Sequence, residues 1–242
     1  MSSTRIIDCG LKDYQSVLVL QENAHQDLLA GTGNDTIFIV EHPPVITLGA
    51  RNSANKLTKD AEAIKQAGIE IFQIRRGGGT TAHNPGQLVI YPIINLKKYS
   101  LGVSDFVHTL EKIGIEFLAE LGVKCETKKG LPGLWVLNDA LRLTQPIRAS
   151  HLSSVALAKE EPHPFYVTDK KIASIGVQIK KWITSHGIAI NINNDLSIFD
   201  LIVPCGLENV KMTSVQKELG RTINMDNAKK ILKKILLKYF TS

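Results

Sequence analysis

The spacing of hydrophobic residues changes repeatedly between the helical and the strand period along the chain. Apolar positions on one side predict a helix over residues 11–30, and a second helix is predicted from Phe106 to Gly122. Short apolar runs predict strands, which span residues 36–41, 45–48, 69–74, 87–93, 133–137, 171–179 and 182–192. Because helices and strands are interspersed from end to end, the pattern predicts one α+β domain over residues 1–242, built on a mixed sheet.

Two predictions concern which faces of these elements are buried. In the last predicted strand Ile188, Ile190 and Ile192 alternate with smaller or polar residues, which is typical of a half-buried strand. The C-terminal segment predicts an amphipathic helix whose apolar stripe runs from Ala228 to Phe240. Its other side is expected to be a solvated face that carries Lys229, Lys230, Lys233, Lys234 and Lys238.

The overall charge adds a second interpretation of these lysines. The chain has 29 basic and 23 acidic residues, which gives a net charge of +6. A mildly positive surface attracts acidic partners. Nucleic acid is not expected as a partner, because aromatic residues make up only 6% of the chain and no nucleic-acid-binding signature is present.

Composition places the chain among ordinary globular proteins, with 43% hydrophobic and 21% charged residues. No apolar run approaches the roughly 18 residues of a membrane span, and the first residues lack the pattern of a targeting segment. We therefore expect a cytoplasmic protein without a membrane partner. Three widely spaced cysteines argue against a disulfide framework and a metal site, so each is either a small buried residue or a reactive thiol.

The strongest local signal is the segment RRGGGTTAHNPGQ at residues 75–87, which lies between two predicted strands. Three consecutive glycines allow a backbone to approach a ligand closely and to expose its N–H groups. The spacing matches neither a P-loop nor a dinucleotide-binding fingerprint. The alternative interpretation is a mobile hairpin connection, which the density of Arg, Thr, His and Gln makes less attractive.

A second signal is the segment Val203-Pro204-Cys205-Gly206. Proline fixes the backbone before the cysteine and glycine leaves the thiol unhindered, so Cys205 is a candidate nucleophile. A nucleophilic thiolate needs a neighbouring cation, imidazole or helix N-terminus. Spacing alone does not decide which neighbour supplies this group; the candidates are His83, His186, Lys170 and Lys171. The alternative is that Cys205 is a buried, inert cysteine.

A third signal consists of KIASIG at residues 171–176 and TSHGIAIN at residues 184–191. Small residues on neighbouring strands leave room for a slender ligand such as an acyl chain. Tight packing within the sheet explains the same residues equally well.

Taken together, these segments resemble the octanoyltransferase family, also called lipoate-protein ligase B. The resemblance rests on RGGxxTxHxPGQ followed by YPI, then KIAxxG, HGxAxN and PCG, which occur here in the family's order. They stand at residues 76–87, 91–93, 171–176, 186–191 and 204–206, and the similarity covers most of the chain. It implies a catalytic domain of the biotin/lipoate-ligase type.

The resemblance also implies roles for individual residues. Cys205 would be the nucleophile that accepts the acyl group, and Lys171 would lower the pKa of its thiol. The acyl-binding wall would be formed by Arg76, Gly77, Gly78, Gly79, Thr80, Thr81, Ala82, His83, Ser174, Ile175, Gly176, Gly187, Ile188 and Ala189.

The implied reaction moves an octanoyl group from octanoyl-acyl carrier protein to a lysine of a lipoyl domain, through a thioester on Cys205. The acceptors would be the lipoyl domains of 2-oxoacid dehydrogenases and the H protein of glycine cleavage. A thioester is already activated, so no ATP, metal or other cofactor is expected, and the enzyme is expected to be a monomer. Backbone N–H groups of the glycine segment, or near Gly206, would hold the oxyanion.

Two other functions remain open from the sequence. An ATP-dependent lipoate or biotin ligase of the same fold would not need a reactive Cys205. A non-catalytic module that binds lipoyl domains or carrier proteins would leave that thiol inert. This chain also differs from the family pattern at residues 138–168, a predicted irregular insert where the family has a short connection, and at residues 79–82.

Overall fold

The computed structural model describes residues 4–137, 169–204 and 210–240, so the predicted insert at 138–168 and the Cys205-Gly206 pair lie outside the described residues. The described strands are β1 Arg5–Leu11, β2 Thr36–Glu41, β3 Val45–Leu48, β4 Glu70–Gln73, β5 Thr81–His83, β6 Gln87–Ile93, β7 Glu126–Lys128, β8 Leu131–Val136, β9 Lys170–Lys180, β10 Ile183–Asn191 and β11 Lys211–Met212. The described α-helices are α1 Tyr14–Ala30, α2 Ala61–Gln66, α3 Val103–Glu120, α4 Val215–Leu219 and α5 Met225–Phe240. None of these helices combines the length and apolar character that crossing a bilayer requires.

Eight of the described strands form one mixed sheet in the order β1-β2-β6-β10-β9-β8-β7, with β11 pairing with β9. The β1–β2 and β9–β11 pairs are parallel, and the other neighbours in this sheet are antiparallel. A smaller sheet has the order β4-β3-β5. The predicted α+β class with a mixed sheet is confirmed.

Helices cover both faces of the large sheet. Phe106 and Phe117 of α3 pack with Leu232 and Phe240 of α5 in the largest apolar cluster, which covers one face. Val17 of α1 belongs to a second cluster, together with residues of β2 and β6. Fully burying such a side chain contributes about 1.5–3 kcal/mol, so these two layers fix the sheet on which the candidate site is built.

Strand β10 differs from its sequence-based prediction. Ile188 and Ile190 pack against the layer of α3 and α5, and Ala189 packs in the cluster of α1, so both faces of β10 are covered. Ala189 and Asn191 are only 5% and 1% exposed. The prediction of a half-buried strand was therefore wrong. Asn191 is tolerated there because its amide donates to the Thr213 carbonyl and its oxygen accepts from Gln87.

The lysine side of α5 is also not uniformly solvated. The Lys229 ammonium lies 3.1 Å from a Glu41 carboxylate oxygen and 3.5 Å from one of Asp8, and this side chain is only 11% exposed. Glu41 in turn accepts the Gly86 N–H at 3.0 Å. Lys229 therefore ties the C-terminal helix to β1, β2 and the segment before β6, whereas Lys230 and Lys234 are exposed as predicted.

Strands β6 and β10 approach each other closely at Gly187. A Cβ atom on this residue would lie 2.2 Å from the Ile90 carbonyl oxygen, far inside van der Waals contact. Gly187 pairs with Gly176 on β9, so two residues without side chains face each other at the centre of the sheet. The small residues of the third sequence signal thus serve tight sheet packing at this point.

We predict that Gly187→Ala lowers the free energy of unfolding by about 1–3 kcal/mol, because the added methyl group must displace backbone. Chemical denaturation measures the change. Ser185→Ala on the same strand is the matched control and is expected to stay within about 0.5 kcal/mol of the wild type. Equal stability of Gly187→Ala and the control would contradict the close approach.

Candidate active site

A narrow cleft lies where the segment 75–87, called here the glycine loop, meets strands β6, β9 and β10. Its empty volume, including the opening to solvent, is about 430 Å³. The wall is formed by Tyr14, Arg76, Gly78, Thr81, His83, Val89, Tyr91, Ser174, Ile175, Gly176, His186, Gly187, Ile188 and Ala189.

Most of the predicted acyl-binding residues lie in this wall, although their binding role stays a prediction. Four do not line the cleft in the described part of the chain: Gly77, Gly79, Thr80 and Ala82. Conversely, sequence reasoning left Tyr14, Val89 and Tyr91 out of the wall, because they stand in apolar stripes that indicate core. The sequence indicates His186 as a possible neighbour of Cys205 and as part of the motif at 186–191, but not as a residue of the acyl-binding wall.

The glycine loop is held against the sheet by its own backbone. The Gly77 N–H donates to the Val177 carbonyl at 2.9 Å, and the Thr80 N–H donates to the Ala54 carbonyl at 3.3 Å. A Cβ atom on Gly79 would lie 2.3 Å from that same Ala54 oxygen. The first and last of these N–H groups are therefore already used within the protein. Gly78 and Gly79 remain as the loop's candidate donors to a ligand.

The Arg76 side chain crosses behind the loop and is only 7% exposed. Its guanidinium donates to the Thr47 carbonyl and hydroxyl at 2.9 and 2.8 Å, and to the Gly77 carbonyl at 3.0 Å. A Cβ atom on Gly176 would come within 3.0 Å of the Arg76 Cδ. Glycine at this position of β9 therefore leaves the space that Arg76 occupies.

Aromatic side chains form a continuous cluster beside the cleft. The His42 ring lies 5.1 Å from Tyr14, 5.7 Å from His83 and 5.9 Å from Tyr91, measured between ring centroids. Tyr14 stacks on His83 at 6.0 Å, and Tyr91 contacts His186 edge-on at 6.3 Å. One side of the cleft is therefore an aromatic surface in which His83 and His186 line the wall, while His42 packs against it without lining the wall.

Hydrogen bonds define the tautomers of two of these histidines. The His42 Nδ1–H donates to the Lys12 carbonyl at 2.8 Å, so its Nε2 accepts from the Tyr91 hydroxyl at 3.0 Å. The His83 Nδ1–H donates to the Gln87 side-chain oxygen at 2.7 Å, which leaves its Nε2 as an acceptor. Both rings are consequently held in one orientation.

The Gln87 contact belongs to a longer polar chain. The Gln87 amide donates to the Asn191 oxygen at 2.9 Å, and the Asn191 amide donates to the Thr213 carbonyl at 2.9 Å. The Thr213 N–H in turn donates to the Lys171 carbonyl at 2.9 Å. Residues from three separate sequence motifs thus form one buried chain from the cleft to strand β9.

Burial keeps the three imidazoles neutral. Desolvation lowers the pKa of His42 and of His186 to about 4, and it lowers that of His83 to about 3. Burial also raises the pKa values of the Tyr14 and Tyr91 phenols above the ordinary value, so both stay protonated. The cluster therefore presents hydrogen-bonding groups without net charge.

His186 has an unusual backbone and an unpaired ring nitrogen. Its φ of 59° lies in the left-handed region, and its N–H donates to the Gln21 side chain at 2.8 Å. Its Nδ1 is buried and has no hydrogen-bond partner among the described residues. The next residue of the strand is Gly187, and its lack of a side chain permits the close contact with β6.

Lys171 lies at the start of β9 and is only 1% exposed. Its ammonium lies 5.3 Å from the centroid of the Trp135 ring, within the range of a cation–π contact. A Cβ atom on Gly133 would lie 2.7 Å from the Lys171 Cε, so glycine there provides the space for this side chain. Lys171 is thus a buried, oriented cation on the strand that also contributes Ser174 to the cleft.

The described chain on both sides of residues 205–209 is anchored. The Val203 N–H donates to the Lys56 carbonyl at 3.0 Å, and Pro204 is buried. After the gap, Lys211 and Met212 of β11 pair with Lys170 and Lys171 of β9. The chain that enters and leaves the Cys205 segment is therefore fixed, at its exit directly beside Lys171.

Known proteins resemble this chain in both sequence and fold. The model of the lipoyl protein ligase A/B catalytic domain matches residues 13–237. The chain is 32% identical over 235 residues to an octanoyltransferase of Maridesulfovibrio salexigens, which covers 97% of this chain and 95% of that protein. It is 34% identical over 236 residues to an octanoyltransferase of Nitratidesulfovibrio vulgaris, covering 97% and 94% of the two chains.

Among solved structures, the fold is similar to a bi-partite lipoate protein ligase from Thermoplasma acidophilum. The TM-score is 0.66 at 13% identity, over 99% of this chain and 84% of that chain, which is a likeness of fold. Fold and family match together define a catalytic domain of the lipoyl protein ligase A/B class. Within that class the chain belongs to the octanoyltransferase family, and it is an acyltransferase.

We predict that the folded protein loses stability as the pH falls from 6.5 towards 4. The three buried imidazoles have folded pKa values below the ordinary value, so the unfolded chain binds more protons throughout that window. The loss amounts to about 2 kcal/mol per histidine between pH 6.5 and 5. Denaturant titrations at several pH values measure it.

His42→Gln is expected to reduce this loss of stability by about the contribution of one histidine. The exposed His108, on α3, supplies the matched control, and His108→Gln is expected to keep the wild-type dependence. An unchanged slope in His42→Gln would show that His42 is protonated as easily in the folded as in the unfolded protein.

Proposed function

We propose that this acyltransferase moves an octanoyl group from octanoyl-acyl carrier protein to a specific lysine of lipoyl domains, through a thioester on Cys205. The curated relatives above carry the name octanoyltransferase, which supports octanoyl as the acyl group. The observation that carries the proposal is the placement of Lys171. It is a buried cation on β9, paired through Met212 with the strand that leaves the Cys205 segment.

In the first half-reaction, the Lys171 ammonium favours the thiolate form of Cys205. The thiolate sulfur attacks the carbonyl carbon of the donor thioester, and the bond from that carbon to the carrier sulfur breaks. The carrier leaves as a thiol after it takes a proton, which Lys171 supplies. The acyl-enzyme is again a thioester, so this step needs no external source of energy.

In the second half-reaction, the neutral amine of the acceptor lysine attacks the Cys205 thioester. Lys171, which has given up its proton, accepts one from that amine. An amide bond forms, the bond from the carbonyl carbon to the Cys205 sulfur breaks, and Cys205 leaves as the thiolate beside the re-formed Lys171 ammonium. In both steps negative charge develops on the carbonyl oxygen, and the N–H groups of Gly78, Gly79 or Gly206 are the candidate donors to it.

The apolar part of the cleft wall suits an unbranched acyl chain. Val89, Ile175, Ile188 and Ala189 supply its apolar wall, and the neighbouring imidazoles are neutral. As acceptors we propose lipoyl domains of 2-oxoacid dehydrogenases and the glycine cleavage H protein. The structural relative from Thermoplasma acidophilum was solved as a ligase together with its E2 lipoyl domain, which supports this class of acceptor.

The second candidate is an ATP-dependent lipoate ligase, which is favoured by the fold that such ligases share with this chain. It would activate a free acid as an adenylate and would not form a Cys205 thioester. The two candidates therefore differ in the donor they use and in the covalent intermediate.

We predict that intact-mass spectrometry shows one octanoyl adduct after mixing with octanoyl-acyl carrier protein. Cys205→Ala is expected to form none, because the nucleophile is missing. Lys171→Ala is expected to form the adduct about 10²–10⁴-fold more slowly, because proton transfer and thiolate stabilisation are lost. Lys180→Ala, an exposed lysine on the same strand, is the matched control and should load at the wild-type rate.

Two results would refute the proposed mechanism. One is an adduct that survives in Cys205→Ala. The other is modification of a lipoyl domain from free octanoate that requires ATP, which would assign the chain to the ligase candidate.

A further inference from the structure

A second and larger concavity, called here the basic groove, lies between the start of β9, strand β11 and residues 196–204. Its empty volume, including the opening to solvent, is about 1540 Å³. Apolar side chains such as Phe199, Ile202 and Met212 form part of its wall. The groove is separate from the narrow cleft beside the glycine loop, because the two have no wall residue in common in the described chain.

Positive charge dominates the rim of this groove. Lys170, Lys211 and Lys217 all line it, and Asp200 is the one carboxylate among its described wall residues. Lys170 is paired with Glu218 at 2.9 Å. Lys211 and Lys217 are exposed, and neither has an ion-pair partner within the described ranges. Two ammonium groups are therefore available to an anionic ligand.

The groove is lined by residues that flank the candidate nucleophile along the sequence. Pro204, which directly precedes Cys205, is a wall residue, and so is Val210 on the other side of residues 205–209. Met212, a third wall residue, pairs with Lys171. A ligand in the groove thus lies beside both ends of the segment that carries Cys205.

We propose that the basic groove receives the acyl donor, with Lys211 and Lys217 pairing with the phosphate diester of the arm that bears the thioester. This inference rests on the proposed function. The apolar wall suits the uncharged part of such an arm, and the two cations suit its phosphate and the acidic surface of a carrier protein. The acceptor is a poorer occupant, since its lysine would bring a third ammonium group past Lys211 and Lys217.

The test compares two octanoyl donors. Octanoyl-acyl carrier protein has the phosphate and the acidic surface, whereas octanoyl-N-acetylcysteamine is a short thioester that has neither. In the double variant Lys211→Glu with Lys217→Glu, we expect kcat/KM for loading from the carrier to fall about 10- to 100-fold, mainly through KM. Loading from the short thioester is expected to stay at the wild-type rate.

Salt and a matched control sharpen the comparison. Added salt should slow wild-type loading from the carrier and leave the double variant almost unaffected, because salt screens exposed charges. Lys230→Glu with Lys234→Glu makes the same charge change at exposed positions of α5 and should load normally from both donors. Lys211→Gln with Lys217→Gln is a milder pair, expected to lie between wild type and the glutamate variant.

Three outcomes would overturn the inference: undiminished loading from the carrier, an equal loss with both donors, or a loss confined to delivery from a preformed acyl-enzyme to a lipoyl domain. The last would assign the groove to the acceptor. Failure of the proposed function looks different, because the wild type itself would then form no adduct from either donor.

Discussion

One buried chain of side-chain hydrogen bonds constrains the centre of this protein. It runs from His83 through Gln87 and Asn191 to the Thr213 carbonyl. An amide that is buried without its partner costs about 1–3 kcal/mol, so a shift of one strand past its neighbour would break several such contacts at once. The register of β6, β10 and β11, and with it the shape of the cleft, therefore depends on these few polar groups.

The same series of hydrogen bonds explains how a polar site coexists with a hydrophobic core. The amide and imidazole groups beside the cleft satisfy one another, so burial shifts their pKa values without leaving charges inside. Arg76 and Lys171 are the exceptions, two cations that are nearly fully buried. The Arg76 guanidinium donates to the carbonyls of Thr47 and Gly77, whereas Lys171 lies on β9. It is placed where the aromatic face of Trp135 compensates part of its lost hydration.

The local pattern of apolar residues was sufficient to predict the elements whose burial is uniform. The strands at 36–41, 45–48 and 87–93 have the predicted bounds, because each is a continuous apolar run between turn-forming residues. Strand β1 was not predicted, since RIIDCGL lies at a sheet edge and mixes exposed and half-buried positions. Asn191 and Lys229 were misplaced because their burial depends on partners far along the chain, Thr213 and Glu41.

The residues of the candidate site also differ in whether the sequence could predict them. Cys205 and Lys171 could be named only through an ordered set of motifs, because a Pro-Cys-Gly turn and a lone lysine are individually weak signals. No spacing rule indicates that Tyr14, on the first helix, reaches the cleft beside His83. That contact is a product of how α1 packs on the sheet. Tertiary packing of this kind has no period in the sequence.

The paired glycines of β9 and β10 have a consequence for altering ligand size. Gly176 and Gly187 contribute bare backbone to the cleft wall, and the atoms behind them belong to Gly77, Arg76 and Ile90. A glycine has no side chain to remove, so no substitution at these two positions can make the cleft deeper. Any lengthening by substitution has to come from positions at which a side chain, and not the main chain, forms the boundary, such as Val89, Ile175 and Ile188.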